Sequence, residues 1–416
     1  MFKNMNFLKV TIATVITRIG DSIDSIALSW LVYILTGSKL LMGTLFAVSF
    51  IPNLLILPFA GVIADVVSKK KLTVMSDVFR GLSVSCLALV YYFNLLEVWH
   101  LFMFVIINSV FESLADPARS TLLPLIVKED EYVSANGYLS TASTLGNLIG
   151  IGLAGAVIGL LGIWVAILID GITFFVSGVL ILSMKVKEVS NQKLQLSQIN
   201  DYMGMITEGF KYIKNDRLIL SFVLFGAILN FSFVPFNVLN PVYVDQVMKT
   251  GAVGMSYLGG ALLFGMLAGG ILIGNIGKKV KPIKTLVVSF AILGLCYSLL
   301  GVIDYIQVTQ TIKIVAIIVI SFVFGMMLPI AQAPIGAVIM KRIPKEIIGR
   351  VISIFTLISL STNPLGGTIV GAIGDNLSVS QLFIMMGVFG ILGSFLFMMY
   401  HRNTVLEPAR TEEKIA

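Results

Sequence analysis

Three charged side chains lie within two helical turns of an otherwise apolar segment near the start of the chain. Arg18, Asp21 and Asp24 occur in the stretch TRIGDSIDSIALSW, residues 17–30. A charge at the centre of a bilayer costs about 2.5–3.5 kcal/mol on insertion scales, so such groups usually pair, face a cavity or take part in function. Arg18 and Asp21 are three residues apart, which allows an ion pair on one face of a helix.

The elements that carry these groups are predicted to be transmembrane helices. Of the 416 residues, 57% are hydrophobic and only 12% are charged, whereas soluble domains carry about 25% charged residues. Apolar runs of about 20 residues, long enough to cross a hydrocarbon core as helices, recur along the whole chain. We therefore predict an all-α integral membrane protein with twelve transmembrane spans. They lie at about 8–35, 40–64, 72–94, 99–118, 134–160, 163–184, 217–244, 253–277, 283–303, 312–338, 351–374 and 380–400.

Lysine and arginine are distributed unevenly between alternate sides of the predicted spans. Of the 29 basic residues, 25 belong to one side, while the other side carries only Lys39, Lys249 and Lys313, and Arg18 lies in the membrane. Basic loops stay on the cytoplasmic side of a membrane. Both termini are therefore predicted to be cytoplasmic, and the net charge of +7 does not indicate a nucleic-acid partner.

A polar stretch and an internal repeat divide the chain into two halves. Residues 185–216 form the predicted cytoplasmic linker between a bundle at 1–184 and a second bundle with a short tail at 217–416. The decapeptides at 61–70 and 270–279 align without gaps. Repeated six-helix halves are the architecture of a rocking transporter whose binding site lies near the midplane between them.

Several motifs resemble those of the major facilitator superfamily. GVIADVVSKKK at 61–71 is similar to its signature between spans 2 and 3, a Gly-x-x-x-Asp followed by a basic cluster. Further stretches resemble the branch that contains macrolide-efflux proteins and enterobactin exporters: ALSWLVYILTGS at 27–38, SDVFR at 76–80, DPAR at 116–119 and LGNLIGIGLAG at 145–155. The resemblance implies the two-bundle major facilitator fold and antiport of drugs against protons.

The resemblance also implies a gate at the cytoplasmic ends of the helices. Asp65 would accept hydrogen bonds from the free N–H groups at the start of span 11, where the helix dipole favours an anion. For the lysines, a role in membrane orientation alone is the favoured alternative. The predicted gating residues are Gly61, Asp65, Lys69, Lys70, Asp77, Arg80, Asp116 and Arg119.

In this superfamily spans 1 and 4 commonly line the central cavity, which would bring Glu112 to the acids of span 1. One arginine cannot neutralise Asp21, Asp24 and Glu112 together. A carboxyl group left desolvated beside other acids has a raised pKa and can bind a proton near neutral pH. We predict that Asp24 or Glu112 carries the exchangeable proton and that the Arg18–Asp21 pair adjusts it. A static ion pair that only fixes its helix remains an equal alternative.

Two further groups of residues are assigned by their type and spacing. Gly146, Gly150 and Gly155 on span 5 are predicted helix-packing residues, with a role in coupling left open, and Asp170 is predicted to pack against span 5 with a hydrogen bond to serine or threonine. The second half has no charge in the middle of its spans, and its amides, Phe and Met suit varied apolar ligands. The predicted substrate-binding residues are Trp30, Asn108, Phe111, Asn230, Phe233, Asn237, Phe322, Met326 and Gln332.

Together these features predict a secondary-active exporter of amphiphilic compounds, driven by proton antiport, in the cell membrane. It is expected to work as a monomer among lipids and to need no cofactor or metal beyond the proton motive force. Export of a siderophore, lipid or other metabolite is the first alternative. A non-transporting sensor or scaffold is the second, and the gate signature and the repeat argue against it. The lack of Walker, HExxH and GxSxG motifs predicts that the protein is not an enzyme.

Overall fold

Helices dominate the fold because a chain in lipid must satisfy each backbone N–H and C=O group within its own segment. The computed structural model describes residues 4–186, 207, 209–277, 281–344 and 347–401, with the backbone alone for 57–66, 133 and 349. All long elements in these ranges are helices. They are α1 Met5–Thr36, α2 Lys39–Val66, α3 Lys69–Tyr92, α4 Val98–Leu122, α5 Tyr132–Leu161, α6 Ile163–Leu182, α7 Arg217–Tyr243, α8 Ala252–Ile276, α9 Pro282–Val302, α10 Gln310–Arg342, α11 Ile348–Gly374 and α12 Val379–Tyr400.

The prediction of twelve apolar spans is confirmed, because twelve described helices are long and apolar enough to cross a membrane. The largest differences are at the ends of α4 and α10, which continue to Leu122 and Arg342 instead of stopping at residues 118 and 338. Basic side chains in a last helical turn interact favourably with the helix dipole, so Lys341 and Arg342 extend the helix. Part of the polar linker is also helical, at residues 209–215.

Specific residues set where the helices begin and end. The side chain of Asn4 accepts hydrogen bonds from two backbone N–H groups in the first turn of α1, and that of Ser68 accepts one, from Lys71, at the start of α3. Gly37 ends α1 in the left-handed conformation with a φ of 60°, which glycine adopts without strain. A π-helical turn, Val244–Met248, follows α7.

Contacts divide the chain into two units. The first unit comprises Met1–Asn200, Asn240–Tyr257 and Gly367–Gly371, and the second comprises Asp201–Leu239, Leu258–Gly366 and Ala372–Ala416. In the first unit α1 packs against α5 and α6, α3 against α4 and α6, and α2 against α4. In the second unit α9 packs against α10 and α12. Two short segments of the second half of the sequence therefore belong to the first unit.

Candidate functional site

Asp21 of α1 lies between two arginines. Its Oδ2 is 3.5 Å from Nη1 of Arg18, and its Oδ1 accepts a hydrogen bond of 3.1 Å from Nη2 of Arg80 on α3. The side chain of Arg18 is 35% exposed, whereas that of Arg80 is 9% exposed. The buried Arg80 is therefore the closer and less accessible partner of Asp21.

Arg80 also contacts side chains of two other helices. Its Nη2 is 4.0 Å from Oε2 of Glu112 on α4, and its guanidinium carbon is 4.1 Å from the ring centroid of Phe174 on α6. Arg80, one of the predicted gating residues, thus contacts carboxylates of α1 and α4, and its role in gating stays a prediction. The expectation that Arg18 is the one cation available to Asp21 and Glu112 is wrong. We name Arg18, Asp21, Asp24, Arg80, Glu112 and Asp170 the charge cluster.

Asp77 and Arg119, two predicted gating residues, form a separate buried pair. Asp77 is fully buried on α3, and its Oδ1 accepts a hydrogen bond from Arg119 of α4. Its Oδ2 accepts a second bond, of 2.7 Å, from the hydroxyl of Ser177 on α6. Asp116, one turn before Arg119, is exposed. A buried carboxylate with an arginine and a hydroxyl partner is satisfied and links three helices.

Two carboxylates of the charge cluster have no ion-pair partner among the described residues. Oδ1 of Asp24 is buried and lacks any hydrogen-bond partner in the described part of the chain. Asp170 is 2% exposed, and its Oδ1 accepts a 3.2 Å bond from the hydroxyl of Thr173. The predicted bond of Asp170 to a threonine is thus present. Asp170 also lies against α1, since a Cβ on Gly20 would lie 2.4 Å from its Oδ1. Its packing against α5 stays a prediction.

The glycines of α5 lie directly against α1 beside the charge cluster. A Cβ on Gly146 would lie 2.8 Å from the carbonyl oxygen of Val15, and one on Gly150 would lie 2.6 Å from that of Ile19. Glycine at these positions lets the two backbones approach closely. By contrast, a Cβ on Gly152 would meet nothing within 4 Å.

This difference gives a matched pair of substitutions on one helix. Gly150→Ala should lower the free energy of unfolding by about 1–3 kcal/mol, because the added methyl group would overpack a backbone contact. Gly152→Ala should leave it unchanged or raise it slightly, because alanine favours the helix. The check is the melting temperature of each purified variant in detergent. Equal melting temperatures would contradict the close approach of α5 to α1.

Two polar contacts join the ends of the first helices to the segment 240–257. The backbone N–H of Gly155 on α5 donates a 2.8 Å hydrogen bond to Oγ of Ser256 on α8. The hydroxyl of Tyr33 near the end of α1 donates a 2.7 Å bond to Oδ2 of Asp245. Asp245 lies in the π-helical turn, an irregularity often found at functional sites. The sequence-based prediction assigned no role to Tyr33, Asp245 or Ser256.

The start of α2 packs closely against the other added segment, 367–371. A Cβ on Gly43 would lie 2.1 Å from the carbonyl oxygen of Gly367 on α11, and a Cβ on Gly367 would lie 2.7 Å from that of Gly43. The sequence indicates a packing run of small residues on span 11, Gly366, Gly367 and Gly371. Gly43 was not singled out, because its one signal is a small side chain that many other positions share.

The remaining gating residues are only partly described. The backbone of α2 runs through Gly61 and Asp65, but their side chains lie outside the described part of the protein. Lys69 is the first residue of α3. Lys70 donates a 2.7 Å hydrogen bond from Nζ to the carbonyl oxygen of Met184 after α6. The predicted contact of Asp65 with the start of α11 stays a prediction.

The predicted substrate-binding residues of the first unit lie on α1 and α4. Phe111 stacks on Phe79 of α3, with ring centroids 4.7 Å apart, and precedes Glu112 of the charge cluster. Asn108 donates to the carbonyl one turn earlier at 3.3 Å, while its own Oδ1 is buried without a partner among the described residues. Trp30 lies 5.6 Å from the ring of Tyr33.

In the second unit, aromatic rings stack around Phe233, a predicted substrate-binding residue. The Phe233 ring stacks on those of Phe236 and Phe324, with centroids 5.8 and 5.9 Å away. Asn230, one turn before Phe233, donates to the backbone of its own helix at 2.9 Å. The other predicted contacts are half-buried or exposed on α7 and α10: Asn237, Phe322, Met326 and Gln332.

Twelve apolar helices and charged groups buried among them define a multi-pass membrane protein. In the described residues no group of three or more His, Cys, Asp or Glu side chains is placed to hold a metal ion. The sequence profile of the Major Facilitator Superfamily matches residues 10–361. The chain belongs to this superfamily of transporters, which confirms the predicted fold class and the expectation that the protein is not an enzyme.

Named relatives include efflux proteins of bacteria. The chain is 21% identical over 383 residues to macrolide efflux protein A of Streptococcus pyogenes, covering 92% of this chain and 93% of that protein. It is 22% identical over 403 residues to the multidrug efflux pump Tap of Mycolicibacterium fortuitum, covering 94% and 95% of the two chains. The crystal structure of the nucleoside transporter NupG shares the fold, with a TM-score of 0.77, 13% identity and coverage of 96% and 100%.

Proposed function

We propose that this protein exports amphiphilic, weakly basic or cationic compounds of the macrolide type in exchange for protons, by alternating access. The protein lies in the cell membrane with both termini in the cytoplasm, and it works as a monomer. The proton motive force is its energy source, so no cofactor takes part.

The observation that carries this proposal is the excess of acid in the charge cluster. Asp21 and Glu112 share Arg80, and among the described residues Arg18 forms an ion pair with Asp21 only. Asp24 and Asp170 have no ion-pair partner in the described part of the chain, although both are inside apolar helices. Buried carboxyl groups without counter-ions bind protons or cations, and a drug:proton exchanger needs sites for both.

The direction and the class of compound are supported by the relatives. Macrolide efflux protein A and Tap are named for efflux, and each matches this chain over almost its full length. Stacked Phe side chains around Phe233 in the second unit offer an apolar surface that accepts ligands of varied shape. A cationic or weakly basic head group would complement the acidic first unit.

Transport by the purified protein in liposomes with an acidic interior tests this proposal. The probes are labelled erythromycin, a macrolide, and tetraphenylphosphonium, whose permanent charge prevents trapping by the pH gradient. Because protons leaving the lumen drive exchange, at least one probe should accumulate several-fold above protein-free liposomes, and a protonophore should abolish the accumulation.

Protein-free liposomes with the same gradient correct for passive trapping of erythromycin, which is a weak base. In a pump-deficient bacterial host, expression should lower accumulation of the same probe, and a protonophore should restore it. If neither probe accumulates above the protein-free level, proton-driven export of amphiphiles is wrong for this protein.

A further inference from the structure

The acids of the charge cluster fall into two groups according to their partners. Asp21 contacts both arginines at 3.5 and 3.1 Å, and Glu112 lies 4.0 Å from Arg80. These two carboxylates are the counter-charges of Arg80. Because the Arg80 side chain is only 9% exposed, losing either charge would weaken the neutralisation of a buried cation.

Asp24 lacks every such contact in the described part of the protein. Its Oδ1 has no accessible area and no hydrogen-bond partner among the described residues. A buried polar atom without a partner costs about 1–3 kcal/mol, more when it is charged. Binding of a proton removes the charge of this carboxyl group and so lowers that cost.

Asp170 lies on α6 against the same stretch of α1. The absence of a side chain at Gly20 lets Asp170 and Thr173 reach the α1 backbone, since a Cβ there would lie 2.2 Å from the threonine hydroxyl and 2.4 Å from the carboxylate. Asp24 lies one helical turn after Gly20 on α1 and therefore on the same face of that helix. Its one hydrogen-bond donor among the described side chains is the Thr173 hydroxyl.

The other ionisable side chains of the charge cluster come from three helices. From α1 come Arg18 and Asp21, from α3 Arg80, and from α4 Glu112. Nε of Arg80 is also buried without a partner in the described part of the chain.

We infer that Asp24 and Asp170 together hold the exchangeable proton, while Asp21 and Glu112 remain the fixed counter-charges of Arg80. This inference rests on the proposed proton-driven export. With the proton bound, the pair carries one negative charge, and when the proton leaves, it carries two. A cationic head group and the proton then compete for the same negative charge, which couples export of one to import of the other.

The inference differs from the sequence-based prediction in two ways. Glu112 becomes a counter-charge of Arg80 and not a carrier, because it lies within reach of that arginine. Asp170 becomes a coupling residue and not a packing residue, because it faces the acids of α1 across Gly20.

Asp24→Asn and Asp170→Asn separate coupling from binding, since asparagine keeps the shape and stays neutral as a protonated aspartate does. In the liposome assay, with whichever probe the wild type transports, each variant should lose at least ten-fold in pH-driven accumulation. Probe counterflow, the exchange of internal for external probe without a pH gradient, reports whether a variant still binds and carries the probe. In weakly buffered detergent, probe binding should release protons from the wild type and not from the variants.

Asp130→Asn, on the exposed turn before α5, is the matched control and should behave as the wild type in all three measurements. If either cluster variant keeps full pH-driven accumulation and proton release, the inference is wrong although export by the wild type stands. If the wild type itself shows no pH-driven accumulation, the proposed function and the inference both fail. Should an Asn variant also lose counterflow, Asp24→Glu and Asp170→Glu decide: regained pH-driven transport supports the inference, and its absence overturns it.

Discussion

Arg80→Gln should abolish pH-driven transport and lower the free energy of unfolding by about 3–5 kcal/mol, the range for removing one partner of a buried ion pair. The reason is that Arg80 is the contact shared by Asp21 and Glu112 and also packs on Phe174. Glutamine retains a donor but no charge, so two carboxylates lose their buried cation. Denaturation in mixed micelles with increasing SDS measures the stability, and the liposome assay measures transport.

Arg18→Gln is the matched control for this substitution. The Arg18 side chain is 35% exposed and contacts Asp21 at 3.5 Å, so the change should cost less than about 1 kcal/mol, as for exposed pairs. Arg80→Lys should regain part of the stability, because it restores the charge without the forked geometry or the stacking of guanidinium. Equal losses for Arg80→Gln and Arg18→Gln would show that Arg80 is not the centre of the charge cluster.

Gly43→Ala should shift the protein away from the arrangement seen here and reduce transport. Its methyl group would lie 2.1 Å from the carbonyl oxygen of Gly367, so α2 and residues 367–371 would have to separate. Overpacking of this kind costs about 1–3 kcal/mol, which lowers the population of the closely packed state by roughly 5- to 150-fold relative to a state without this contact.

A cross-linking measurement reports that population directly. With Cys86 and Cys296 replaced by serine, cysteines are introduced at Tyr33 and Asp245, whose side chains touch in this arrangement. A short bifunctional methanethiosulfonate should join them efficiently in the parent and several-fold less in the Gly43→Ala variant. Gly260→Ala, where an added Cβ meets nothing within 4 Å, should cross-link as the parent does. Unchanged cross-linking with Gly43→Ala would contradict the prediction.

The fold was predictable from the sequence because span length and hydrophobic composition are local properties. Twelve runs of sufficient length required twelve helices, and the family motifs agreed with them. Asp77 and Arg119 were both predicted as gating residues, but their pairing with each other and with Ser177 was not predicted. One serine among many in apolar helices gives no signal of its own.

The position of Arg80 shows where sequence-based prediction ended. The motif SDVFR was placed at a cytoplasmic boundary because basic residues usually lie there. Arg80 is eleven residues after the first residue of α3, which corresponds to about 16 Å along a helix, so its depth could have been computed. Which face of α3 it occupies could not, because helix rotation is set by packing against α1, α4 and α6. The contact of Asp170 across Gly20 depends on the same packing.

The end of α6 has a consequence for how the chain is made. The carbonyl oxygens of Ser183 and Met184 accept hydrogen bonds from Lys9 and Lys70, and the side chain of Asn6 exchanges two bonds with the backbone of Lys185. All of these partners precede α6 in the chain. Because domains fold from the N-terminus during synthesis, all residues that form these hydrogen bonds are synthesised before the second half of the chain. The first six helices can therefore form these hydrogen bonds while translation is still under way. A protein truncated after residue 186 should insert into the membrane and resist proteolysis.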